Sequence, residues 1–143
     1  MKRALLDINF LIALLDLDHS HHVEARRWLE QEAKYGWASC PITQNGCVRV
    51  MSQPSYSRPF PAGSVIGRLN AATQTSYHEF WPDDVSILDA TVVRPNRVHG
   101  PKQLTDIYLL ALAVKHDGRF VTFDATLAIS AVANARKHHV VIV

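Results

Sequence analysis

Three aspartates stand where short apolar runs end or where a helical run begins, and that placement limits the folds open to this chain. Asp7 closes Ala4-Leu5-Leu6, Asp124 ends Phe120-Val121-Thr122-Phe123, and Asp106 opens the helical stretch from Leu104 to Ala113. In an open α/β sheet, the carboxyl ends of the strands and the adjoining helix starts line the crevice where ligands bind. Acids gathered there repel one another. Two carboxylates about 4 Å apart cost roughly 4 kcal/mol at an effective dielectric near 20, and three make three such pairs. A divalent cation bound through oxygens offsets that cost. Mg²⁺ or Mn²⁺ is the hard-ligand choice, because Mg²⁺ binds a few carboxylates and keeps most of its waters. Any one of these aspartates, alone, reads equally well as a helix cap or a turn residue; all three at such positions point to a shared ion.

The remaining pattern alternates strands with helices. Strands are expected at 2–6, 37–40, 85–88, 119–123 and 140–143. Helices are expected at 9–15, from an N-cap at Ser20 to Ala33, at 44–51 behind a cap at Thr43, at 65–73, from 104 to about 116, and at 127–135. Pro54, Pro59 and Pro61 make 53–63 a loop, and two prolines with Gly100 make 94–103 irregular. Alternation of this kind predicts a parallel sheet covered on both faces. At 143 residues, with no internal repeat or dividing linker, the chain is expected to be one domain, 1–143.

Composition excludes several classes. A hydrophobic content of 48% suits a packed globule. No apolar run reaches the roughly 18 to 20 residues of a membrane span. Met1 to Leu15 carries Asp7 and lacks a small-residue cleavage site, so it does not read as a signal peptide, and the expected compartment is the cytoplasm. Cys40 and Cys47 form no CxxC and fit buried thiols in that compartment. A formal charge of +2 permits a nucleic-acid partner without requiring one.

The residues around the three acids resemble a known family. Leu5-Leu6-Asp7-Ile8-Asn9-Phe10-Leu11-Ile12 is similar to the opening strand and helix of PIN-domain ribonucleases. The stretch beginning Leu104-Thr105-Asp106 resembles their Thr-Asp helix start, and Val121-Thr122-Phe123-Asp124 resembles the strand that carries their last acid. The resemblance spans the chain, and its length is similar to that of VapC-type toxins of bacterial toxin–antitoxin systems. It implies a three-layer α/β/α sandwich with a central parallel sheet. It also implies a Mg²⁺- or Mn²⁺-dependent endoribonuclease that hydrolyses RNA phosphodiesters, forms a homodimer and is inhibited by a small antitoxin protein. By the resemblance, Asp7, Asp106 and Asp124 are the metal ligands and catalytic acids. Asn9, Thr105 and Thr122 fall beside them in a supporting role.

One position departs from the family. Where its members usually carry a glutamate near the start of the third helix, this chain has Gln44, with Asn45 beside it. An amide can orient a water but cannot supply negative charge or act as a base. A catalytically impaired PIN-like domain that binds RNA or a protein is therefore the alternative reading.

Other residues carry weaker signals. Arg94, Arg97, His99 and Lys102 precede Asp106 in the irregular stretch and are candidates for phosphate contact, or else a solvated loop. Asp16, Asp18, His19, His21 and His22 could suggest a transition-metal site, but a helix start rich in Asp and Ser is ordinary capping chemistry. Trp81 and Tyr108 could stack on a base, though core packing suits both. Phe10, Leu11, Leu14, Val48 and Met51 offer apolar surface for a dimer or an antitoxin helix. A haloacid-dehalogenase-type phosphatase would need a second aspartate where Asn9 stands, and a response-regulator receiver would need a late strand-end lysine that is missing.

Overall fold

Alternation along a strand only three residues long divides the molecule into two cores. In Ala4–Leu6 (β1), Leu5 joins one cluster of buried side chains while Ala4 and Leu6 join the other. The computed structural model describes residues 1–143. Four more strands flank β1: Trp37–Ser39 (β2), His78–Phe80 (β3), Arg119–Thr122 (β4) and Val140–Ile142 (β5). All pairings are parallel, in the order β3-β2-β1-β4-β5. Five helices connect them: Ile8–Leu15 (α1), His22–Glu32 (α2), Pro41–Ser52 (α3), Ala62–Thr73 (α4) and Leu104–Lys115 (α5).

Helix α5 covers one face, packing Ile107, Leu110 and Ala111 with Leu5, Phe120 and Trp81. Helices α1 to α4 cover the other with Phe10, Ala25, Cys47, Met51, Val65 and Leu69 around Leu6 and Val121. The result is the expected three-layer α/β/α sandwich. No helix is long and apolar enough to cross a membrane. Because β1 has β2 on one side and β4 on the other, the strand order reverses between β1 and β4, and ligands of such sheets bind at that switch point.

Several expectations are corrected. The strand at Val85–Leu88 is absent: Leu88 is 90% exposed, and the edge strand is His78–Phe80 instead. An edge strand whose residues are half-buried or exposed carries no apolar run for a sequence reading to find. The helix at 127–135 is a single 3-10 turn, Ile129–Ala131. Its backbone groups are bonded across to a neighbouring segment instead of along a helix: Arg94 N donates to Ala131 O at 2.8 Å and Ala133 N to Val92 O at 2.9 Å. Thr43 is not the cap of α3. The helix begins at Pro41, a favoured first helical residue, and the Thr43 hydroxyl accepts from the Cys40 amide at 3.0 Å. Ser20 does not cap α2 either, since His21 occupies that place with no side-chain bond. Phe10, Leu11 and Met51 are buried and offer no free apolar surface. Trp81 is 1% exposed, packed against the His116 ring at 4.5 Å. The irregular 94–103 stretch holds two single 3-10 turns, Pro95–Arg97 and Pro101–Gln103.

Candidate active site

The chain leaves β1 and enters α1 through Asp7, which caps that helix. One carboxylate oxygen of Asp7 accepts from the Ile8 amide at 2.7 Å, and the other accepts from the Thr122 hydroxyl at 2.7 Å. Its own amide donates to Val121 O at 2.9 Å. Asp7 is therefore laced to β4 directly across the switch point, and it is 5% exposed. That burial pushes its carboxyl above the usual range, against the opposing pull of Thr122 and Ile8, and the charge of Asp124 adds to the rise.

Asp124 lies just past β4. Its amide donates to the Thr122 hydroxyl at 3.1 Å, and one carboxylate oxygen accepts from the hydroxyl and amide of Thr126 at 2.6 and 2.8 Å. Those donations hold the Asp124 carboxyl below the usual range. Thr122 thus touches two acids at once. Asp106 comes from the opposite layer, in the first turn of α5, and is half-buried. Burial first, then the charges of Asp7 and Asp124, push its carboxyl up to about 7. A cavity of about 200 Å³ opens beside Asp106 and Asp124, with Lys102, Gln103 and Thr126 in its wall.

The donor set is carboxylate oxygen only, which suits a hard divalent cation. No three His, Cys, Asp or Glu side chains stand near enough to enclose an ion by themselves. Mg²⁺ needs no such cage, since one or two carboxylates with water and substrate phosphate complete its shell. The residues fit such an ion: each Asp7 oxygen accepts one hydrogen bond and keeps a second lone pair, and the Asp124 oxygen outside the Thr126 turn accepts none. A cation would also relieve the repulsion that raises Asp106.

The other sequence candidates are dispersed. Asn9 is exposed on the first turn of α1. Thr105 opens instead onto an apolar groove with Ile42, Val85 and Leu88. Gln44 donates to the Ser39 hydroxyl at 2.9 Å, which lies 2.8 Å from His78 Nε2, and it borders a separate cavity of about 430 Å³ between α3 and α4. The Arg94 guanidinium is spent on the Ser130 and Ala133 carbonyls at 3.0 and 3.2 Å. Arg97 is exposed, and among the loop cations Lys102 shares a cavity with Asp106 and Asp124. In the Asp16–His22 cluster, Asp16 accepts from the Asp18 amide at 3.0 Å and His22 Nδ1 lies 2.7 Å from Ala13 O in α1, while no side chain caps the start of α2. Thr126 escaped the sequence reading, although Asp124-Ala125-Thr126 carries an Asx-turn signal.

Comparisons with known proteins bear on this geometry. The family model described as PIN domain matches residues 4–133. Ribonuclease VapC44 of Mycobacterium tuberculosis is 58% identical over 137 residues, 96% of each chain. Ribonuclease VapC39 of the same organism is 44% identical over 131 residues, 91% of this chain and 94% of its own. Among solved structures, VapBC2 from Rickettsia felis, bound to a promoter DNA fragment, aligns with a TM-score of 0.60 at 15% identity, covering 85% of this chain and 87% of that one. The Mycobacterium tuberculosis toxin VapC20, which cleaves the sarcin-ricin loop, aligns with a TM-score of 0.60 at 14% identity, covering 93% and 98%. At those identities the structural likeness is one of fold.

Proposed function

The chain belongs to the PIN-domain family, among its VapC-type members, and we propose that it is a metal-dependent endoribonuclease, the toxin of a toxin–antitoxin pair acting in the cytoplasm. One observation carries the reading: Thr122 bonds both Asp7 and the Asp124 amide, and Asp106 shares a cavity with Asp124, so three acids from two layers meet at one end of the sheet. A structural role gives no reason to gather like charges at a switch point. Asp7, Asp106 and Asp124 would hold the ion, Mg²⁺ or Mn²⁺. Such an ion supplies a water of lowered pKa and neutralises charge on the phosphoryl oxygens.

The chain's own groups divide the remaining work. Thr122 fixes Asp7 and the start of the Asp124 turn, so two of the acids cannot drift apart. Asp124, held ionised by Thr126, provides permanent negative charge. To help hold a cation Asp106 would have to be ionised, which would couple metal binding to pH. Lys102 stands in the same cavity wall and is placed to meet a phosphate oxygen. Asn9, at the rim of the same helix start, is free to bond a water or the substrate.

The partners follow from the same reading: an RNA substrate, a second copy of the chain, and an antitoxin. An apolar groove of about 380 Å³, lined by Leu14, Leu15, Leu29 and Ala72, suits the apolar face of a partner helix. Gln44 favours the alternative, an impaired domain that binds RNA or protein without cutting, because its amide is turned to Ser39 and lends the acids no charge. Cleavage of a cellular RNA pool by the partner-free protein separates the two. Discrete fragments that need Mg²⁺ or Mn²⁺, vanish with EDTA and vanish in Asp7→Asn are the expected result. A folded protein that cuts nothing under these conditions would sink the nuclease reading and leave the binding module.

A further inference from the structure

The ring of His21 lies on the ring of Phe123, with centroids 4.6 Å apart and planes within 25°. Phe123 immediately precedes Asp124, and its ring is also stacked with that of Phe10 at 5.1 Å. Phe10 is fully buried and braced edge-on by Trp28 at 5.6 Å. The pile of rings therefore runs from the core to the surface, where the His21 side chain is 46% exposed and the His19 ring stands 5.8 Å away, tilted by 42°. Two further contacts hold His21 in place. His21 Nδ1 lies 3.3 Å from a Glu24 carboxylate oxygen, and the His21 amide donates to His19 Nδ1 at 3.0 Å. None of the hydrogen bonds of Asp7 or Asp124 uses either histidine.

Covering Phe123 would need only an aliphatic side chain. A flat ring held by its face and its edge, and half open to solvent, is what an unpaired base stacks on. Phe123 and Asp124 are consecutive residues just past the end of β4, so the pile is tied to the strand end that carries the acid. We propose that His21, backed by Phe123 and Phe10, is the stacking platform for the base of a nucleotide flanking the scissile phosphate. This rests on the endoribonuclease reading above. It requires RNA whose base faces are free, because in a duplex both faces of each base are covered by its neighbours.

The test uses the full chain with Mg²⁺ or Mn²⁺ and labelled single-stranded RNA oligonucleotides that together cover every dinucleotide step. His21→Ala should raise KM about tenfold while kcat stays within about twofold, the scale expected for losing one base stack. His21→Phe should recover most of that loss. On an oligonucleotide with an abasic nucleotide at the stacked position, wild type and His21→Ala should cleave alike. An unchanged KM in His21→Ala overturns the platform. So does a loss that tracks a lowered melting temperature and is not recovered by His21→Phe. If the folded wild type cuts none of the RNAs, the nuclease reading fails separately, and the same oligonucleotides are titrated by fluorescence anisotropy. Binding about tenfold weaker in His21→Ala then keeps the platform; equal binding, or none by the wild type, removes it.

Discussion

The two ends of the sheet treat charge in opposite ways. At the amino ends of the strands, buried and half-buried charges meet opposite charges or carbonyls, with Nη2 of Arg119 the one buried atom left without a partner. Arg119, 3% exposed, bonds Glu32 at 3.0 Å and the Lys2 carbonyl at 2.8 Å, and lies over the Trp28 ring. Arg3 reaches the Tyr77 and Trp37 carbonyls at 2.7 and 3.2 Å, with Glu79 3.5 Å away, and Lys2 pairs with Asp117. At the carboxyl ends, Asp7 and Asp124 gather with Asp106, and the first two have only hydroxyls and amides as hydrogen-bond partners. The first end is built to hold the sheet together. The second gives up stability at the proposed site, which a cation would complete, and unlike charge treatment within one short sheet is what marks it.

The largest expected effect follows from striking the unpaired end. Asp106→Asn should lower metal-dependent cleavage by at least about 100-fold, the scale for losing one group of a preorganised electrostatic site, while leaving the metal-free protein no less stable. An Asp106→Asn protein that still cuts RNA at wild-type rate would dissolve the contrast. Glu32→Gln strikes the other end. It leaves the Arg119 guanidinium buried without its counter-charge and should cost about 3 kcal/mol in urea unfolding, with the rate of cleavage by the folded protein unchanged.

Next comes pH. The folded value for Asp106, about 7, lies above its ordinary 3.8. Between those values the folded state binds a proton that the unfolded state has released, so stability is greatest at the acid end and falls as pH rises through 7. Because Asp106 is only half-buried, solvent screening reduces the effect to about 1–2 kcal/mol. Urea unfolding of the metal-free protein should show that fall, and Asp106→Asn or saturating Mg²⁺ should flatten it. The smallest change is Thr126→Val, which removes the hydroxyl that holds Asp124. Mn²⁺ titration should show binding weaker by about tenfold, as for other groups that orient a ligand, with little change in unfolding.

Legibility in the sequence follows the same division. The strands around Leu5 and Phe120 and the helix from Leu104 are continuous apolar segments closed by Gly, Pro or charge, so their existence and their terminal acids could be read directly. The edge strand His78–Phe80 could not, because its residues face solvent and its place is set by pairing with β2. The false helix at 127–135 had a helical pattern, but its backbone bonds go to 92–94, a partner distant in sequence. The acids themselves were visible as residue types at run ends. The directions of Thr105, Gln44 and Arg94 were not, since each depends on the rotation of a helix or the path of a loop. Thr105 and Asp106 are neighbours in sequence, yet they open onto different surfaces.

Strand β1 is three residues long. At roughly 3.3 Å per residue, the peptide between Arg3 and Asp7 spans only about 13 Å, with no bend or joint to absorb movement. A shift of one pairing step at the anchored end would reverse the faces of Leu5 and Leu6 and carry Asp7 away from Thr122 in the same motion. The strand works as a ruler of fixed length. Geometric tolerance at the acids is therefore set by the register of β1 on β4, which admits no partial slip.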